Sequence, residues 1–164
     1  MQVHAYVIFL TALIPLVTGF IWYNPKVFGN AWMKSIGATP ESLQGGNMAL
    51  IFGLCYVFSL MLSASMMSMV IHQFGFASVF EGDTTPESAA YMKDFFDTYG
   101  NRFRTFKHGA LHGTITGLFV ALPILGIIAL FERKGFKYIA VNCGYWILCL
   151  GIMGGVICQW GLSY

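Results

Sequence analysis

Charge is the scarce ingredient of this chain. Only 9 Lys and Arg and 7 Asp and Glu occur in 164 residues, 10% of the total, against 57% apolar residues and a mean hydropathy of +0.67. A water-soluble domain carries about 25% charged residues, so lipid is the main solvent for this one. A net charge of +2 with no long basic run excludes a nucleic-acid partner. The long apolar stretches contain no Asp, Glu, Lys or Arg at all, which argues against a carboxylate-lined ion path. A glycine-rich phosphate loop, a nucleophile elbow and a zinc-protease motif are all missing. The four cysteines, Cys55, Cys143, Cys149 and Cys158, form no C-x-x-C pair and read as small apolar residues. Cys55 and Cys143 reach similar depth, but nothing in the spacing demands a disulfide. No cofactor is expected.

What the chain has instead is four long apolar runs, at 3–23, 48–74, 109–131 and 138–161. Each can cross a hydrocarbon layer about 30 Å thick. The expected fold is therefore all-α: a single domain over 1–164, an integral membrane four-helix bundle with one or two short interfacial amphipathic helices. The first run lacks the basic start and cleavage site of a secretory signal and is expected to be retained. Asn24-Pro25 reads as an N-cap followed by proline at the first helical position, opening a short flat helix through Trp32. Thr39-Pro40-Glu41 offers another helix start. The longest connection carries Thr85-Pro86-Glu87 and an expected extramembrane helical segment over 85–104, with Met92, Phe95, Phe96 and Tyr99 on its apolar face. Lys26, Lys34, Arg133, Lys134 and Lys137 flank the short connections. They favour a cytoplasmic position for those turns, with both termini outside.

Two kinds of residue stand out within this frame. Gly109, Gly113 and Gly117 form a doubled G-x-x-x-G in the third run, and Gly151 and Gly155 repeat it in the fourth, with Gly144 one heptad earlier. Such grooves let helix backbones approach closely in lipid. The short turn between these two runs makes packing within the chain the expected use, and a dimer or a docking face for a larger complex the alternative.

Histidine is the second. Alternating direction brings His4, His72, His108 and His112 to one side of the membrane. His112 lies about one turn inside the third run, where an imidazole is costly without a partner. His108, four residues earlier, shares its face, and two such histidines can hold a metal. Ligand or proton candidates are thus His112, His72, His108 and Asn142, with His108 and His112 as candidate metal ligands. The plainer expectation is that His112 bonds a hydroxyl or carbonyl across the bundle, while His4 and His108 face headgroups. Asn142 is expected to bond Glu132 or a loop carbonyl, and Gln159 to sit in the interface at the histidine level.

Gly19-Phe20-Ile21-Trp22-Tyr23-Asn24-Pro25-Lys26-Val27-Phe28-Gly29-Asn30-Ala31-Trp32 resembles the opening signature of a bacterial family of small four-span membrane proteins described only as a conserved domain of unknown function. Similar to its later signature are His112-Gly113-x-x-x-Gly117, then Pro123, then Phe131-Glu132-Arg133, then Asn142-x-Gly144-Tyr145-Trp146. The resemblance extends over nearly the whole chain, with the segment around 81–104 less typical. It implies a four-span fold in the bacterial inner membrane, and no reaction or substrate. In physical terms Trp22, Tyr23 and Trp32 are expected to anchor the chain at the interface, and Pro25 to turn it from spanning to lying flat.

The expected function is a non-enzymatic structural or accessory subunit acting through helix packing. Membrane lipids surround it, and its partners are a second copy or a larger membrane complex. The alternative is a small transporter or ligand- or proton-binding membrane protein that uses His112 and the polar residues near it.

Overall fold

A computed structural model describes residues 2–163. Four helical stretches in it are long and apolar enough to cross a membrane: Ala5–Trp22, Met48–Val70, Phe106–Phe131 and Phe136–Trp160. The protein is a multi-pass membrane protein of the all-α class. Among the described residues strand is confined to β1 (Gln2–Val3) and β2 (Leu162–Ser163), which pair antiparallel and clasp the two ends of the chain together.

Two of the spans are interrupted where proline removes a backbone donor. The first consists of α1 (Ala5–Thr11) and α2 (Ile14–Trp22), jointed just before Pro15. The third runs as α7 (Phe106–Thr116), a π-helical turn over Gly117–Ala121, and α8 (Leu122–Phe131), whose first turn holds Pro123. A proline ring crowds the carbonyl four residues back, and the wider π turn gives it room. Between the first two spans, the Asn24 side chain accepts the Lys26 N–H at 2.9 Å and starts a π turn over Pro25–Gly29 that continues as α3 (Asn30–Ile36). A left-handed Gly37, at φ 71°, ends it.

No helix begins at Thr39-Pro40-Glu41. Thr39 and Ser42 exchange backbone-to-hydroxyl bonds of 2.9 and 3.3 Å instead, and Gly45 at φ 93° turns the chain away before a helix can propagate. The second span is also shorter than the apolar run. It is α4 (Met48–Val70), and it stops because Ile71 adopts an extended conformation, φ −114° and ψ 100°. The β-branched pair Val70-Ile71 tolerates that conformation readily, and the polar Gln73 that follows is not suited to lipid. His72 therefore opens a new helix, α5 (His72–Val79), rather than closing the span.

The connection between the second and third spans is a helical hairpin. After α5 the chain turns through Asp83 and Thr85, whose hydroxyl caps α6 (Pro86–Tyr99). Phe76 stacks on Phe95 with ring centroids 3.6 Å apart, and Phe80 packs against Tyr91. The apolar face of α6 is thus turned toward α5. Ser88 and Thr85 hydrogen-bond the Asp83 carboxylate and hold it below its ordinary pKa.

The fourth span, α9 (Phe136–Trp160), is the hub rather than one of four equal staves. Buried residues make up 61% of its most apolar window, against 11–22% in the other three. Helices α1, α2, α3, α4, α7 and α8 all pack on it. Its closest neighbour is α7. A Cβ on Gly109 would run into the Gly154 carbonyl, and one on Gly113 into the Leu150 carbonyl. Gly117 is pressed against Ile147, where an added Cβ would lie 2.7 Å from Cα. Overpacking a close contact costs about 1–3 kcal/mol or more. Gly113→Val is expected to lower the melting temperature in detergent steeply, with a loss near or above that upper figure. Gly126→Ala, at a position with open space around it, is expected to leave it unchanged. Equal melting temperatures for the two variants would refute the close approach.

Candidate functional site

The helix break at Ile71 positions the site. If α4 simply continued, His72 would follow the α4 axis; the extended residue turns it toward the start of α7 instead. There Thr105 caps α7 through a hydroxyl bond to the His108 N–H, 3.3 Å long. His108 and His112 occupy successive turns of one face, with ring centroids 4.5 Å apart. His72 Nε2 lies 2.9 Å from His108 Nε2, and the His72 ring meets the His112 ring edge-on at 4.9 Å. One nitrogen from each of the three rings falls within 4.8 Å of the other two. His72 is exposed, while His108 and His112 are half-buried.

Phe103 walls this cluster on one side. It stacks on His108 at 5.0 Å and presents its edge to His72 at 6.4 Å. Its backbone φ of 63° is a left-handed conformation that bulky residues rarely adopt, so the surrounding contacts must hold it there. Gln73, buried just after His72, supplies one of them, donating its side-chain amide to the Tyr99 and Arg102 carbonyls, both at 2.9 Å. The Arg102 guanidinium lies 5.2 Å from the Phe103 ring centroid. A cavity of about 330 Å³ opens beside His72, lined also by Gln73, Phe95, Tyr99, Arg102 and Phe103.

Arg104 and Gln159 fasten this end of the molecule to the hub, and neither figured as a site residue in the sequence. Arg104 donates from Nε to the Cys158 carbonyl and from its terminal nitrogen to the Leu162 carbonyl at 2.8 Å. It thereby satisfies acceptors at the C-terminal end of α9, where positive charge is favoured. Gln159 Oε1 accepts the Phe106 N–H at 3.0 Å, so α9 also caps the first turn of α7. The available signal was an arginine placed immediately before a membrane helix, at the level where the neighbouring helix ends.

The remaining candidates lie elsewhere. His4 does share the histidine end, but it works as a clasp: its ring nitrogens contact the Trp160 carbonyl at 2.8 Å and the Ser163 hydroxyl at 3.0 Å. Asn142 is at the opposite end of α9. It accepts the Tyr23 hydroxyl at 2.9 Å and donates to the Tyr138 carbonyl of its own helix at 2.8 Å, so Glu132 is not its partner. Trp22 donates to the Val141 carbonyl at 3.0 Å, and Trp32 packs edge-on against Tyr23. Trp22 and Tyr23 thus bind the first span to the fourth, beyond any anchoring at the interface. Pro25 opens the π turn. Gly155 lies under the Phe106 ring, Gly144 faces the Trp22 ring and Gly151 faces Thr114. Between Trp22 and Phe106, Gly144 and Gly151 line a groove of about 450 Å³. Gly154, not flagged by the i,i+4 pattern, makes the closest approach on the α9 side. Cys143, Cys149 and Cys158 are buried free thiols and Cys55 is an exposed one.

Three apolar spans wrapped on a fourth, with a polar cluster at one end, define a small multi-pass membrane protein with an imidazole-lined end. Residues 6–158 match a protein family described as a protein of unknown function, DUF1761. The chain belongs to that family. Comparison with curated proteins and with solved structures gives no match.

Gln73 holds the turn that carries Phe103, so its loss should loosen the wall of the cluster. Gln73→Leu is expected to cost about 1–3 kcal/mol by taking the side-chain donor from the Arg102 carbonyl and leaving the Tyr99 carbonyl with only the Arg102 N–H. It is also expected to speed hydrogen exchange over residues 99–105. Unchanged exchange there would show that the turn is held by other contacts.

Proposed function

We propose that this protein is a non-catalytic membrane protein that binds a small ligand at its histidine end, and that it resides in a bacterial inner membrane. The observation that carries the reading is the convergence of His72, His108 and His112 from two separate segments, with the backbone of the second span broken at Ile71 to bring His72 in. His112 lies about one turn inside the third span, where an imidazole is costly without a partner, and here the three rings lean on one another rather than on hydroxyls or carboxylates. The spans contain no carboxylate to serve as a general acid or base, which favours binding over catalysis.

The accessory-subunit reading draws less support. Gly109, Gly113, Gly117 and Gly154 are filled from within the chain, so most of the glycine surface has no room for a partner helix. The groove beside Gly144 and Gly151 keeps that second reading alive, with a second copy or another membrane protein as the occupant. Lipid covers the remaining apolar surface.

A thermal-shift screen in detergent, using divalent metals, small anions and mildly acidic pH, separates the two readings. The native chain and a variant with His72, His108 and His112 all changed to alanine are compared. At least one class is expected to shift the native melting temperature and leave the triple variant unmoved. Identical responses across the screen would overturn the ligand-binding reading. Loss of a co-purifying protein from Gly151→Leu would then favour the accessory one.

A further inference from the structure

We infer that His72, His108 and His112 form a site for one divalent transition-metal ion, of the class that favours imidazole (zinc, cobalt, nickel or copper), with an open coordination position. The inference rests on the ligand-binding reading above and names the ligand.

Geometry supports it first. Metal–imidazole bonds of about 2.0–2.1 Å place tetrahedral ligands about 3.3 Å apart. The His72 and His108 Nε2 atoms are 2.9 Å apart, and the three ligand nitrogens all lie within 4.8 Å. Separating the closest pair by a few tenths of an ångström and drawing the third inward would complete a trigonal set. That adjustment is small for His72, which is exposed at the first position of α5. His108 and His112 come from adjacent turns of one helix, so their spacing is set by the backbone itself.

Donor chemistry narrows the ion. Three neutral nitrogens and no carboxylate suit borderline metals, whereas calcium and magnesium require oxygen ligands. Three protein ligands also leave a position that a closed structural site would fill. Nearby charge suggests what takes it. Lys107 precedes His108, and Arg102 lies against Phe103 at the cavity beside His72. A divalent ion held by neutral ligands amid these cations favours a small anion, such as hydroxide or chloride, as the fourth ligand. Phe103, stacked on His108, holds that ring in place and shields one side of the site from water. With only three protein ligands and one of them exposed, the ion is loaded and released at this end of the bundle rather than sealed in.

The test uses the full-length protein, purified in detergent and stripped with a chelator. Cobalt(II) titration is expected to produce visible d–d absorption that saturates at one ion per chain, to be displaced by zinc, and to be unaffected by magnesium. His72→Ala replaces an exposed residue and is expected to fold normally. It should weaken cobalt binding by more than about 100-fold, beyond the roughly 10- to 100-fold typical of losing an outer-shell partner. His4→Ala, which removes the terminal clasp instead, is expected to keep both the spectrum and the stoichiometry. Saturation by cobalt with the same affinity in His72→Ala would overturn the site. So would a native protein that stays colourless at millimolar cobalt. If that colourless protein is still stabilised by an anion or by acid, and the triple alanine variant is not, the metal is wrong and the ligand-binding reading stands. If neither response appears, both fall.

Discussion

The contact between α7 and α9 is the constraint on which the rest of the molecule depends. Lipid gives two apolar helices no hydrophobic reason to associate, so close backbone approach and interhelical hydrogen bonds must hold them. Gly109 and Gly113 meet carbonyls of α9 so closely that a single added carbon cannot be placed at either. With α7 thus fixed on α9, His108 and His112 sit on the flank of α7, clear of the contact and open to a third element. The glycines are therefore a condition for the histidine face as well as for the bundle.

A second set of interactions ties the outer segments to that pair. The C-terminal end of α9 offers carbonyls that its own helix cannot satisfy. Arg104 takes up the Cys158 carbonyl there and the Leu162 carbonyl just beyond in β2, and Gln159 returns the favour by accepting the first N–H of α7. At the other end Trp22 and Tyr23 bond Val141 and Asn142, holding the first span to the hub. Most polar contacts of α9 thus lie at its two ends, with a glycine- and cysteine-rich stretch between them where Tyr145 donates to the Pro15 carbonyl at 2.7 Å. This arrangement keeps hydrogen-bonding groups near the membrane boundaries, where leaving them unsatisfied would cost least.

The spans were legible because hydropathy reports the solvent directly, and the caps at Asn24 and Thr85 because their chemistry is local. The ranking of the spans was not. All four runs are similarly apolar, and only three-dimensional packing distinguishes the buried α9 from its lipid-facing neighbours. The break at Ile71 was hidden for a related reason, since Val70-Ile71 continues the hydrophobic run without interruption and only the tertiary bonds of Gln73 favour the extended residue. Grouping the histidines on one side followed from helix direction alone. Setting His4 apart from the other three required the pairing of β1 with β2, and strands of two residues leave no periodicity to read. Asn142 illustrates the limit of local reasoning: Glu132 is ten positions away in sequence, while Tyr23 arrives from a different span.

Because Gly161 receives the His4 N–H and Gln2 pairs with Ser163, the bundle behaves as a hoop whose fastening joins the segment leading into the first span to the one leaving the fourth. The end of the fourth span and the strand after it supply the carbonyls gripped by Arg104 and the cap given by Gln159. During synthesis, the third span must therefore wait in the bilayer with its imidazoles exposed until the fourth arrives to seat it. Maturation of the histidine end is thereby postponed until the fourth span has inserted.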